Sequence, residues 1–153
     1  MKLGLMPGTP PAEMRDLGFD AVQLFYGFNR QDDAADPADD AIRASLNPGN
    51  LALAAMTVHI DLVNARGLVQ ADADRAVRLV ARTAALKGLF GDSPRPILIW
   101  HPSGYPQEAD TDDAAVFKGL CAALRQVCAA AERAGVDLAV EITRSGSVGS
   151  ADA

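Results

Sequence analysis

Short runs of β-type residues alternate with helical patterns along nearly the whole chain, and that alternation constrains the fold more than any single motif. The β-type runs are KLGLM (2–6), DAVQLFY (20–26), LALAAMTVHI (51–60), PILIWH (96–101) and VDLAVEIT (136–143). A short helix is predicted over 10–17, with Thr9 as N-cap, Pro10 and Pro11 at its start and Gly18 at its end. A weaker one is predicted over 37–46, ended near Pro48 and Gly49. A third runs through ADRAVRLVARTAALK, capped by Asp72 and stopped by Gly88, with Val77, Val80, Ala81 and Ala84 as its apolar stripe and Asp74–Arg78 as an i,i+4 ion pair. The fourth is the strongest helical signal. Asp110 to Asp113 supply a cap and first-turn negative charge, and Gly135 closes it. Between them Val116, Phe117, Leu120, Cys121, Leu124, Val127, Cys128 and Ala131 recur at helical spacing.

Alternation of this kind implies an α/β fold of parallel strands joined by right-handed crossovers. Two architectures satisfy it: part of a (β/α)8 TIM-barrel-like fold, or an open α/β sheet. The phosphate-binding signatures GxGxxG and GxxxxGK[ST] that mark many open sheets do not occur.

At 153 residues with 49% apolar content, the chain is one domain's worth and can bury a sizeable core. The pattern assigns 1–143 to that domain and the Gly/Ser-rich end, 144–153, to a flexible tail. A net charge of −6 argues against a nucleic-acid or anionic-membrane footprint, which needs clustered Lys and Arg. No uninterrupted apolar run approaches the ~20 residues that span a bilayer. The start, MKLGLMPGTP, is too short for a signal peptide's apolar region, so a cytoplasmic location is expected. Cys121 and Cys128 would lie ~10 Å apart on one helix, too far for a disulfide, and are expected to be small core residues.

The strand ends carry the chemistry. Side chains alternate along a strand, so Ala55, Thr57 and His59 share one side, Ile97, Ile99 and His101 another, and Asp137, Ala139 and Glu141 a third. His59, His101 and Glu141 are each separated by one strand–helix unit. Parallel strands align their carboxyl ends, so the three are expected at one end and on one face of the sheet, where α/β folds build their sites. Imidazole and carboxylate suit a divalent metal such as Zn or Mn, which could polarise a carbonyl or hydroxyl. For either histidine alone, a hydrogen-bonded loop residue is the simpler reading. A carboxylate inside LAVEIT needs a partner if it is buried.

In order along the chain, MTVHIDLVN, ILIWHPSGY and LAVEIT resemble the xylose isomerase-like barrel superfamily, with KLGLM and LGFDAVQLFYG similar to its opening strands. That group includes sugar-phosphate isomerases and epimerases and the apurinic-site endonucleases. The resemblance implies the N-terminal part of an eight-stranded barrel with a divalent metal (Mn, Mg, Co or Zn) at its carboxyl face. It implies Glu141 as metal ligand and catalytic carboxylate, His101 as metal ligand and substrate contact, and His59 and Tyr26 as further substrate contacts. Phe25, at the same strand end, is more simply a packing residue. In the endonuclease branch the histidines ending the third and fourth strands bind metal, and HPSGY resembles that branch's histidine-proline-glycine turn. The family's remaining ligands come from the sixth to eighth strands, and the chain ends after the fifth. Metal binding is therefore expected to be weak or absent.

Three functions follow from the resemblance. The first is a metal-dependent sugar or sugar-phosphate isomerase or epimerase that moves a proton on a ketose or aldose. The second is an endonuclease-type phosphodiesterase, against which the acidic balance weighs. The third is a non-catalytic fragment that needs a partner to complete its sheet, with a homo-oligomer through the open edge as one form. The acidic stretch RQDDAADPADD (30–40) reads as a solvated loop leading into a helix.

Overall fold

A computed structural model describes residues 4–5, 11–27, 36–102, 106 and 108–141. Five strands form one parallel sheet: β1 (Gly4–Leu5), β2 (Ala21–Phe25), β3 (Ala52–His59), β6 (Ile97–His101) and β7 (Asp137–Val140). Between β3 and β6 lies a small antiparallel pair, β4 (Val63–Asn64) and β5 (Gly67–Leu68). The helices are α1 (Pro11–Asp16), α2 (Asp39–Leu46), α3 (Gln70–Ala85) and α4 (Asp113–Ala134), with 3-10 turns at Asn47–Gly49 and Lys87–Leu89.

The strand order decides between the two architectures. The sheet runs β1-β2-β3-β6-β7, each strand beside the next one in the chain. A doubly wound sheet reverses direction at a switch point; this one never does. Successive right-handed crossovers in one direction put the helices on one face of the sheet, as in a barrel wall. The helix-side face is the core. Met56, Val58, Leu98 and Trp100 pack there with Leu79 and Val80 of α3 and with Val116, Leu120, Ala123 and Val127 of α4. A register irregularity opposite Val22 and Gln23 leaves Ala54 unpaired, and Leu53 thereby joins the core of the even-numbered Met56 and Val58.

Four readings of the helices and of β7 are corrected. Helix α3 begins at Gln70, two residues before the expected cap, and Asp72 lies in its first turn. Its N-cap is Val69, which makes no side-chain cap bond; the amides of Asp72 and Ala73 both donate to the Val69 carbonyl at 3.1 Å, opening the helix, and the Val69 amide donates to Leu62 O. The buried face of α3 is Ala73, Arg75, Ala76, Leu79, Val80 and Thr83, while Ala81 is exposed. Of the expected stripe, Val80 is buried and Val77 and Ala84 pack half-buried against the core; the residues it leaves out include two polar ones, Arg75 and Thr83. Arg75 is held by Asp36 at 2.7 Å, and Thr83 bonds Tyr26 at 3.0 Å and the Leu79 carbonyl at 2.8 Å.

On α4, Asp112 is the cap, accepting from the Ala115 amide at 2.9 Å, and Gly135 ends the helix at φ +68°. Phe117, however, is 70% exposed and Cys128 is exposed, so these two are not core, whereas Cys121 is half-buried and Leu124 packs half-buried against the core. Helix α4 is long and apolar enough by length and composition to cross a membrane. Its buried residues, from Val116 to Ala131, pack as a core face instead. Finally, β7 is an edge strand among the described residues, with Asp137, Ala139 and Val140 exposed. The assumption that Glu141 sits in a buried strand therefore fails: its side chain is 47% exposed. Thr9 and the tail 144–153 lie outside the described residues.

The β4–β5 hairpin was not anticipated, because strands of two residues carry no readable period. It turns through Ala65 and Arg66, and Gly67 re-enters the ladder opposite Asn64 at a φ of +108° that favours glycine. It then rests on α4 at Gly119, where no side chain keeps the two backbones apart.

Candidate functional site

Three neighbouring strands end in line. His59 closes β3 and His101 closes β6, and the two are register partners. Glu141 is the first residue beyond β7, and its amide donates to the Trp100 carbonyl at 2.9 Å, continuing the ladder. The imidazoles stack with centroids 4.2 Å apart and planes 29° apart. Glu141 Oε1 lies 3.6 Å from His101 Nε2, farther than a hydrogen bond reaches and an ion pair only when the imidazole is protonated. His59, His101 and Glu141 thus share one rim, at the carboxyl end of the sheet, as strand parity predicted.

Two further features complete the row. The ring of Phe25, which ends β2, lies 5.7 Å from that of His59. The rim therefore runs phenyl, imidazole, imidazole, carboxylate across four strands. One layer below, Gln23 donates to Thr57 Oγ1 at 2.7 Å, a polar contact on the face away from the helices. Sequence reasoning favoured plain packing for Phe25. The signal that could have placed it is its parity with Gln23, a polar residue inside an otherwise apolar strand.

Tyr26 corrects the expected substrate contacts. It has no exposed surface, its hydroxyl meets Thr83 Oγ1 at 3.0 Å, and the Arg82 guanidinium sits 5.2 Å from its ring centroid. It is packed against α3 and is not brought to the rim. Burial pushes its phenol up to about 12, only partly offset by the Thr83 hydrogen bond and the Arg82 charge. The residue next to the strand end turns to the helix layer because side chains alternate.

The rim's fit to a divalent ion is partial. His101 and Glu141 present a nitrogen and an oxygen close enough to flank one ion, and His101 Nδ1 is buried with no hydrogen-bond partner among the described residues. Among the described residues no three His, Cys, Asp or Glu side chains are grouped to hold a metal. His59 stacks on His101 and does not complete the set. Ser103, Gly104 and Tyr105 of the HPSGY turn lie outside the described residues. A separate groove of about 480 Å³, lined by Arg43, Asn47, Asn50 and Leu89 among others, reaches Ala52 at the amino end of β3. It is remote from the histidines.

A singly wound parallel sheet with its polar side chains gathered at the carboxyl rim defines a class, the barrel-type α/β proteins. The chain belongs to the xylose isomerase-like TIM barrel family, whose model matches residues 11–152. No curated protein and no solved structure matches the chain.

Proposed function

We propose that the chain carries part of the active site of a metal-dependent sugar or sugar-phosphate isomerase or epimerase. The observation that carries this reading is the convergence of His59, His101 and Glu141 on one rim, with His101 and Glu141 3.6 Å apart. Family membership supports an isomerase-type or related enzyme of this fold. His101 and Glu141 are the residues that would hold a divalent metal. When bound, such an ion polarises a substrate carbonyl and lowers the cost of removing the neighbouring proton. The half-exposed Glu141 carboxylate can take up a proton from a carbon beside the carbonyl and return it. His59 and His101 can donate to or accept from the substrate's hydroxyl oxygens. The phenyl face of Phe25 offers an apolar wall to the C–H face of a sugar ring.

The test is wash-in of solvent deuterium. The purified chain is incubated in D2O with Mn²⁺ and a panel of aldoses, ketoses and their phosphates, and proton NMR follows exchange beside the carbonyl. Exchange that disappears in Glu141→Gln supports the reading. Exchange unaffected by that change removes Glu141 from the chemistry.

A second reading, an endonuclease-type phosphodiesterase, is favoured by one specific observation: the two histidines end adjacent strands as register partners. Cleavage of a duplex containing an abasic site, lost in His59→Ala and His101→Ala, would support it over the isomerase. Inactivity in both assays, with the chain eluting above monomer size, would favour the third possibility, a chain that pairs its β7 edge with a partner.

A further inference from the structure

We infer that Trp100 is the positioning residue that fixes the His59 segment of β3 against β6 and β7, an inference that rests on reading the β3–β6–β7 rim as the functional site. The backbone ladder between β3 and β6 ends at the pair His59–His101. One residue later, the buried Trp100 indole Nε1–H donates to the Ile60 carbonyl at 2.8 Å. The side chain thus supplies a cross-strand bond past the last rung. His59 is held on both sides, by the ladder at Val58 and by the indole at Ile60.

The same residue governs the other two groups. His101 is joined to Trp100 by its peptide bond. Glu141 hangs from the Trp100 carbonyl, through its own amide at 2.9 Å. Position 100 therefore joins three strands: its backbone carries His101 and Glu141, and its indole alone ties the His59 segment to them. Phenylalanine or leucine would keep an apolar side chain in the core, but neither has an N–H to reach the carbonyl beyond the histidine. A buried indole N–H also needs an acceptor, so the latch is secured from both ends.

The experiment is NMR of the full chain without metal or sugar. The sequence holds one Trp and two His, so the signals are few and assignable. The parent should show a nuclear Overhauser contact between the two imidazoles. Trp100→Phe should lose that contact while the Glu141 amide bond, which uses a backbone carbonyl, remains protected. Leu98→Val is the control. It thins the same buried layer of β6 without touching the indole bond, so the imidazole contact should persist. Retention of the contact in Trp100→Phe, or its equal loss in Leu98→Val, would overturn the role of Trp100. Should Trp100→Phe fail to fold, the parent's indole N–H decides: exchange as slow as that of the β3 amides supports the latch, and rapid exchange overturns it. Absence of the imidazole contact in the parent would instead sink the site reading.

Discussion

Replacing Gly119 by alanine tests how the segment that leaves His59 is held in place. A glycine in the interior of a helix usually costs ~1 kcal/mol relative to alanine, so the substitution would ordinarily stabilise. Here a Cβ would lie 2.3 Å from the Leu68 amide nitrogen, 2.8 Å from the Gly67 carbonyl carbon and 3.0 Å from Leu68 Cα. Carbon contacts settle at ~3.5–4 Å, so the β4–β5 hairpin must retreat by roughly 1 Å. All three contacts are backbone atoms, and no rotamer change can relieve them. The hairpin is also tied at its other side, where the Asp112 amide donates to the Ala65 carbonyl at 3.0 Å. Overpacking of this kind costs ~1–3 kcal/mol, with rigid backbone at the upper end. Subtracting the propensity gain leaves a destabilisation of ~1–2 kcal/mol. For a domain of this size that lowers Tm by roughly 2–8 °C. Thermal and urea unfolding of Gly119→Ala would measure it. Gly88→Ala is the control, since nothing lies within 4 Å of a Cβ there. A Gly119→Ala chain as stable as the parent, or more so, would refute the close seating of hairpin on helix.

Other expectations follow from single contacts. Asp36 and Arg75 form a buried pair at 2.7 Å, 1% and 3% exposed, and Asp36 also accepts from the Gly27 amide at 2.7 Å. Asp36→Asn should cost ~3–5 kcal/mol in urea unfolding, with little dependence on salt, because the buried guanidinium loses the Asp36 carboxylate. For Tyr26 the folded phenol titrates near 12 rather than 10.0. Its contribution to stability is fully present below pH ~10 and is lost between pH ~10 and ~12, where the unfolded chain ionises first. Tyr26→Phe should flatten that alkaline slope in pH-dependent unfolding, and an unchanged slope would contradict the assignment. Cys128 is exposed and Cys121 half-buried, so an aromatic disulfide reagent should label Cys128 first. Mass spectrometry of the tryptic peptides would show the reverse order if α4 were rotated.

Periodicity made much of the architecture readable in advance. The five strands of the main sheet and the four helices fall where the β-type runs and apolar stripes put them, within a few residues at each end. The caps that are side chains or glycines, Asp112 and Gly135, were readable because a single residue type does the job. The start of α3 was not, because its N-cap is Val69, which has no side-chain acceptor to mark the position. The polar part of the buried face of α3 was not legible for a related reason. Arg75 and Thr83 look solvent-facing until Asp36 and Tyr26, from distant parts of the chain, appear beside them. The rim was half legible. Parity placed His59, His101 and Glu141 on one side, but parity also applies to Tyr26, one residue past Phe25, which turns away into the helix layer.

By itself the order of residues determined that parallel strands would be joined by helices, and that two imidazoles and a carboxylate would stand at strand ends. These follow from local periods of two and 3.6 residues, which any stretch of chain carries within itself. Tertiary structure alone decided the direction of winding, the stacking of one imidazole on the other, and the exposure of Glu141 on an edge strand. Each depends on which strand lies beside which. That choice is made by contacts between residues far apart in the chain, and no local pattern contains it.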